Sequence, residues 1–125
     1  MQRRIPVLLV MLLLLGGSLM AQEEDFQAIV DEAQEAYRGG NLERAEELYR
    51  EALAMDEENA ALYYNLGNVY YDTGSYGEAI AAYENSLERG AEDLRVYYNL
   101  GNAYYEGGNF DAALDAYRDA RGAGE

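Results

Sequence analysis

Tyr63-Tyr64-Asn65-Leu66-Gly67-Asn68 returns 34 residues later as Tyr97-Tyr98-Asn99-Leu100-Gly101-Asn102. The flanks return with it. Val69-Tyr70-Tyr71 matches Ala103-Tyr104-Tyr105, Gly74 matches Gly108, Tyr76 matches Phe110, Ala79 matches Ala113 and Tyr83 matches Tyr117. One step upstream lies a fainter copy, where Tyr37, Gly40, Leu42, Ala45, Tyr49 and Ala52 precede Tyr71, Gly74, Tyr76, Ala79, Tyr83 and Ser86 by the same 34 residues. A fixed period of this length marks stacked units, each of which buries its apolar face only against its neighbours.

Inside a unit the spacing is helical. Tyr63, Leu66, Gly67 and Tyr70 fall at i, i+3, i+4 and i+7, one face of an α-helix. A glycine within a helix costs about 1 kcal/mol against alanine, so Gly67 and Gly101 imply a close approach by a neighbouring helix, with Ala79 and Ala113 expected opposite them. Asp72-Thr73-Gly74-Ser75 ends one helix, and Ser75 with Glu78 has the spacing of a capping box for the next. Gly39-Gly40-Asn41 and Gly107-Gly108-Asn109 serve the same purpose. Six helices are predicted, near Glu24–Arg38, Leu42–Met55, Ala60–Thr73, Tyr76–Arg89, Leu94–Glu106 and Phe110–Arg121.

The aromatic-x-x-Leu-Gly-x-x-Tyr helix, followed by a helix with a small residue and then an aromatic, resembles the tetratricopeptide repeat family over nearly all of 26–125. The resemblance implies an all-α fold, three helix-turn-helix hairpins (about 26–59, 60–93 and 94–125) forming a short right-handed superhelix, an α-solenoid. The first copy departs by placing Glu32 and Ala33 where Leu66 and Gly67 recur, which implies a looser first helix. The family's unit-ending proline is replaced by Glu57 and Ala91. No polar closing helix follows the third hairpin in the sequence, so Ala113, Ala116, Tyr117 and Ala120 are expected at an open or lightly covered edge.

Composition narrows the function. A length of 125 residues, half of them hydrophobic, suits one folded domain. With no Cys, His or Lys, the chain lacks thiol and imidazole catalysts, the usual zinc ligands and the phosphate-loop lysine. Catalysis would rest on carboxylates alone, as in glycoside hydrolysis, and none has that context. No enzyme activity, catalytic residue, cofactor or metal is expected. The formal net charge of −15 disfavours nucleic acid. Asp111, Asp115 and Asp119, at i, i+4 and i+8, read as a solvated helix face.

The N-terminus reads Met1-Gln2-Arg3-Arg4, then apolar Ile5 to Leu15, then Gly16-Gly17-Ser18-Leu19-Met20-Ala21. These are the charged, apolar and small-residue regions of a secretory signal, with cleavage expected after Ala21 and residues 22–125 exported to a periplasmic or extracellular compartment. The alternative is an uncleaved N-terminal anchor, the only expected membrane contact.

The resemblance further implies a concave groove lined by the first helix of each hairpin. By repeat position its partner-binding residues are Tyr64, Asn68, Tyr71, Arg95, Tyr98, Asn102 and Tyr105, joined by Asp72, Glu106, Val30, Gln34, Tyr37 and Arg38. Tyrosine offers flat apolar area with one hydroxyl, and asparagine an amide able to pair with a peptide backbone. Tyr63, Tyr70, Tyr97 and Tyr104 read as packing residues. Some family members clamp a C-terminal carboxylate; the matching positions here are Val30, Gln34, Asn65, Arg95 and Asn99, of which Asn65 and Arg95 fit, so a neutral or basic ligand suits the chain better. The expected function is an exported, non-enzymatic adaptor holding a protein or peptide within an envelope assembly, and the repeat stretch is similar to small exported repeat proteins of bacterial aerotolerance (Bat) operons. The alternative is an assembly subunit that self-associates or docks through its last hairpin.

Overall fold

The computed structural model describes residues 3–124. Six helices follow in order: α1 (Val7–Arg38), α2 (Leu42–Met55), α3 (Ala60–Thr73), α4 (Tyr76–Glu88), α5 (Leu94–Glu106) and α6 (Phe110–Ala123). Each odd helix packs along the following even one, and α2 on α3 and α4 on α5 join the three hairpins into a linear stack. The all-α repeat architecture stands as expected, and the described residues contain no strand.

The turns within the hairpins repeat in atomic detail. Gly40, Gly74 and Gly108 have φ of +79°, +83° and +85°, the left-handed conformation that closes a helix and that side chains resist. Around Gly74 the Ser75 N–H donates to Tyr70 O at 2.9 Å and the Gly74 N–H to Tyr71 O at 3.0 Å, so two end carbonyls of α3 are satisfied. The following helices start on asparagine where the sequence offers one: Asn41 Oδ1 accepts from the Arg44 N–H and Asn109 Oδ1 from the Ala112 N–H. Asn59 and Asp93 cap α3 and α5 in the same way. Ser75 occupies the N-cap of α4, but its hydroxyl makes no capping bond, so the expected capping box is not formed. Its φ and ψ of −87° and 68° place the residue correctly while the short side chain stays unengaged.

Two other expectations are corrected. The first helix does not begin near Glu24; it runs without a break from Val7, because nothing between Pro6 and Gly39 stops it and the Gly16-Gly17 pair costs only about 1 kcal/mol per residue. Its apolar residues from Val7 to Met20 are exposed, Val7 at 75% and Met20 at 69%. The glycines inside α3 and α5 face rings rather than alanines. A Cβ on Gly67 would lie 2.6 Å from the Tyr83 ring, and one on Gly101 2.6 Å from the Tyr117 ring. Tyr83 and Tyr117 of the second helices thus each lie close against bare backbone of the first.

The core runs the length of the stack. Leu48, Tyr49, Ala52, Leu62, Leu66, Val69, Ala79, Tyr83, Val96, Leu100 and Ala103 are buried in one cluster. Ser86, the one buried polar residue among those described, donates its hydroxyl to Ala60 O at 2.8 Å. In the first hairpin Ala33 is fully buried, while Glu32 turns outward to Arg44 at 3.0 Å. An exposed pair of this kind contributes about 0–1 kcal/mol, less than the leucine contact it replaces. At the other end the expected open edge is corrected: Ala113, Ala116 and Ala120 are buried because α6 packs that face on α5, and the exposed apolar residues there are instead Leu94, Tyr98 and Leu114, at 47%, 53% and 50%.

Candidate functional site

The groove face is organised by pairs of rings and amides that recur with the repeat. Tyr64 lies 6.0 Å from Tyr83 with the rings tilted by 47°, and Tyr98 lies 5.7 Å from Tyr117 with the same tilt. Tyr71 meets Tyr76 edge-on at 5.5 Å, as Tyr105 meets Phe110 at 5.2 Å. The groove tyrosines of α3 and α5 are thus each steadied by an aromatic residue of the following helix, in tilted or edge geometries that aromatic quadrupoles favour.

The hydroxyl of the ring that packs on the glycine, buried at Tyr83 and half-buried at Tyr117, then fixes an asparagine. Tyr83 donates to Asn68 Oδ1 at 2.6 Å, and Tyr117 donates to Asn102 Oδ1 at 2.6 Å. Asn99 ties the two hairpins, its Nδ2 donating to Asn68 Oδ1 and to the Tyr64 hydroxyl, both at 3.1 Å. With their oxygens engaged, Asn68 and Asn102 keep their amide donors, and among the described residues no acceptor engages either Nδ2. The bare backbone at Gly67 and Gly101 lets the two rings sit close enough for this. In the first hairpin Ala33 stands at the glycine position, and Tyr49, though buried, makes no bond to Gln34.

Asn68, Asn99 and Asn102 line a cavity of about 250 Å³ together with Tyr37, Tyr71, Asp72 and Tyr83. Tyr37 donates its hydroxyl to Asp72 Oδ2 at 2.5 Å. Burial and then that carboxylate push the Tyr37 hydroxyl far above its ordinary pKa. Burial does the same to Tyr83, while Tyr71 is raised by burial and by the nearby charges of Glu106 and Asp72. The phenols are therefore neutral donors throughout the physiological range.

Of the seven residues assigned from sequence, three, Asn68, Tyr71 and Asn102, line this cavity, and Tyr64 borders it through Asn99. Tyr98 lies apart, in an open recess with Leu94, Tyr117, Ala120, Arg121 and Gly124. Tyr105 is 56% exposed against Phe110. Arg95 is turned to Asp93, with contacts from 2.6 to 3.2 Å, and extends into solvent. Of the packing tyrosines, Tyr63 lies under the Arg89 guanidinium at 4.5 Å, and Tyr70 and Tyr104 donate to Glu46 and Glu84. Tyr83, Tyr117 and Asn99 were missed as site residues; the only signal was that the two tyrosines recur at the period of 34, as the glycines do. Among the described residues no group of three or more acidic side chains is arranged to hold a metal ion; Asp111, Asp115 and Asp119 are exposed, with Asp115 near Arg118 at 3.4 Å.

The tetratricopeptide repeat profile matches residues 30–91 and again 64–125. Among solved structures the chain is similar to MamA, at 26% identity and a TM-score of 0.76 over 79% of this chain and 58% of that one. PcrH in complex with the chaperone binding region of PopD is similar at 18% identity and TM-score 0.77, over 81% of this chain and 76% of that one. The second repeat domain of Spaghetti (RPAP3) bound to an HSP90 peptide is similar at 22% identity and TM-score 0.74, over 82% and 96%. No curated protein sequence matches the chain.

Proposed function

The chain belongs to the tetratricopeptide repeat family, and from that premise we propose that it is an exported, non-enzymatic adaptor that holds an extended segment of a partner protein in its groove. The observation that carries this reading is the pair of fixed amides, Asn68 and Asn102, whose oxygens are taken by Tyr83 and Tyr117 and whose donors stay free. Asn68 and Asn102 hold equivalent positions on α3 and α5, so one free amide donor per repeat faces a segment laid along the groove. Tyr71 beside them, and Tyr64, Tyr98 and Tyr105 further along, supply apolar area for side chains of that segment. Two of the similar structures contain a segment of a partner, which supports the same use here. A neutral or basic partner suits a chain of net charge −15.

The export part of the proposal rests on the exposed apolar stretch of α1, which is long and apolar enough to enter a membrane. It places the repeats in the periplasm or outside the cell as part of an envelope assembly, after cleavage near Ala21 or on a retained anchor. The test is capture from an envelope extract by the full chain and by an Asn68→Ala/Asn102→Ala variant, with helicity checked for both. A protein held by the first and lost from the second is the expected result; equal capture by both overturns the reading.

A specific observation favours a second reading, an assembly subunit. Asn99 bonds the Tyr64–Asn68 pair of the preceding hairpin, whereas no described residue bonds the equivalent Tyr98 hydroxyl, and Leu94 in the same recess is half-exposed. The occupant proposed is a second copy of this chain, because residues 94–125 hold three of the nine arginines and only five of the 24 acidic residues, the least repulsive face for self-pairing. Since the chain has no cysteine, Leu94→Cys should give a disulfide-linked dimer under oxidation while Glu51→Cys does not; absence of that dimer counts against it.

A further inference from the structure

We propose that the cavity between α1, α3 and α5 receives one arginine or lysine side chain of the bound segment, with its charge set on Asp72. This rests on the groove reading above and gives it a ligand chemistry. Asp72 is the one carboxylate among the lining residues, and no arginine lines the cavity. Its Oδ2 accepts from Tyr37, a neutral partner that leaves the negative charge in place, and among the described residues nothing donates to Oδ1. Arg38, next to Tyr37 in the chain, forms no ion pair with it, so the cation is not supplied from within.

The volume and the surroundings fit such a side chain. About 250 Å³ is room for a single long side chain and not for a helix. Tyr37 and Tyr71 offer ring area against which an alkyl stem or a guanidinium packs, an arrangement attractive to cations through the ring quadrupole. Glu106, the counterpart of Asp72 one repeat on, adds negative charge close enough to act on the Tyr71 hydroxyl. A hard metal ion fits poorly, because Asn68 Oδ1 and Asn102 Oδ1 already accept hydrogen bonds and a single carboxylate cannot supply six to eight oxygens. An anionic terminus would meet Asp72 with no cation to offset it. The free Nδ2 donors of Asn68 and Asn102 flank the cavity, where they would hold the backbone on either side of the inserted residue.

The test is selection of binders from a random ten-residue peptide library on the immobilised full chain, followed by affinity measurement with four variants: Asp72→Asn, Asn68→Ala, Asn102→Ala and, as a control on the exposed face of α6, Arg118→Gln. Peptides that need Asn68 and Asn102 should share arginine or lysine at one position. Replacing that residue by citrulline, a neutral isostere of arginine, should weaken binding about tenfold, as should Asp72→Asn, and the two losses should not add. Arg118→Gln should leave affinity unchanged. Groove-dependent peptides with no basic preference, or an arginine preference that survives Asp72→Asn, overturn this proposal and leave the groove reading intact. If no selected peptide depends on Asn68 or Asn102, the groove reading itself fails.

Discussion

Replacing Gly67 by alanine sets two known effects against each other. In an open helix alanine is favoured over glycine by about 1 kcal/mol. At position 67 the added methyl would stand 2.6, 2.7 and 3.0 Å from three carbons of the Tyr83 ring, where ordinary contact begins at 3.4 Å. The ring, only 1% exposed, must then move by close to an ångström within a packed core. Overpacking of this kind costs about 1–3 kcal/mol, and losing the bond from Tyr83 to Asn68 adds about 0.5–1.5 kcal/mol. The net expectation is destabilisation by about 2 kcal/mol, which for a domain of this size lowers Tm by roughly 8–16 °C. Circular-dichroism melts give the value, with Gly77→Ala as the control: no atom lies within 4 Å of a Cβ at position 77 in α4, and that variant should gain about 0.5–1 kcal/mol. In a Tyr83→Ala background Gly67→Ala should cease to be harmful, since the methyl then fills space the ring has left. A Gly67→Ala protein that melts at or above the wild-type temperature would refute the close-approach argument. The first hairpin previews the outcome, with Ala33 in the glycine position and Tyr49 not bonded to Gln34.

Asn99→Ala removes both bonds that its own amide makes to the second hairpin, leaving the Tyr104–Glu84 bond, and should cost about 1–2 kcal/mol in thermal or urea melts while weakening any ligand that needs Asn68. Arg89→Ala should cost about 2 kcal/mol, because this mostly buried guanidinium donates to Glu57 O and Asn85 Oδ1 and lies over Tyr63. Arg89→Lys should restore little, as an ammonium cannot reproduce the planar fork; full recovery of Tm by lysine would contradict this. Stability should fall on the alkaline side: Tyr37 and Tyr83 hold their protons more tightly folded than unfolded, and Tyr104, bonded to Glu84 and partly buried, is pushed up to about 12. Their contribution is complete below about pH 10, the unfolded value, and is lost as pH rises from there through the folded values. Melts from pH 8 to 12 with absorbance at 295 nm check this, and a flat Tm above pH 10 would be inconsistent with it.

The hairpin boundaries were legible in the sequence because they rest on local chemistry repeated at one period. Gly40, Gly74 and Gly108 take the left-handed turn that glycine permits, and Asn41 and Asn109 cap the helices that follow. The groove face was legible for the same reason, since helical periodicity puts Asn68, Tyr71 and Asn102 on one side of α3 and α5. The missing capping bond at Ser75 was not legible, because a hydroxyl can satisfy an N-cap in principle without adopting the rotamer that does so. Nor was the run of α1 back to Val7, where apolar helix formers and two tolerated glycines gave no local stop.

What the sequence determined by itself is therefore the helical, three-hairpin repeat, written in turn glycines, caps and an apolar stripe that act over a few residues. What only the tertiary structure decided is which side chains meet at the candidate site. Tyr83 reaches Asn68 from the opposite helix, Asn99 reaches it from the next hairpin, and Tyr37 finds Asp72 across a repeat boundary. Those contacts depend on distances between separate helices, set by how closely a ring can lie against a glycine, and no periodicity along the chain encodes them.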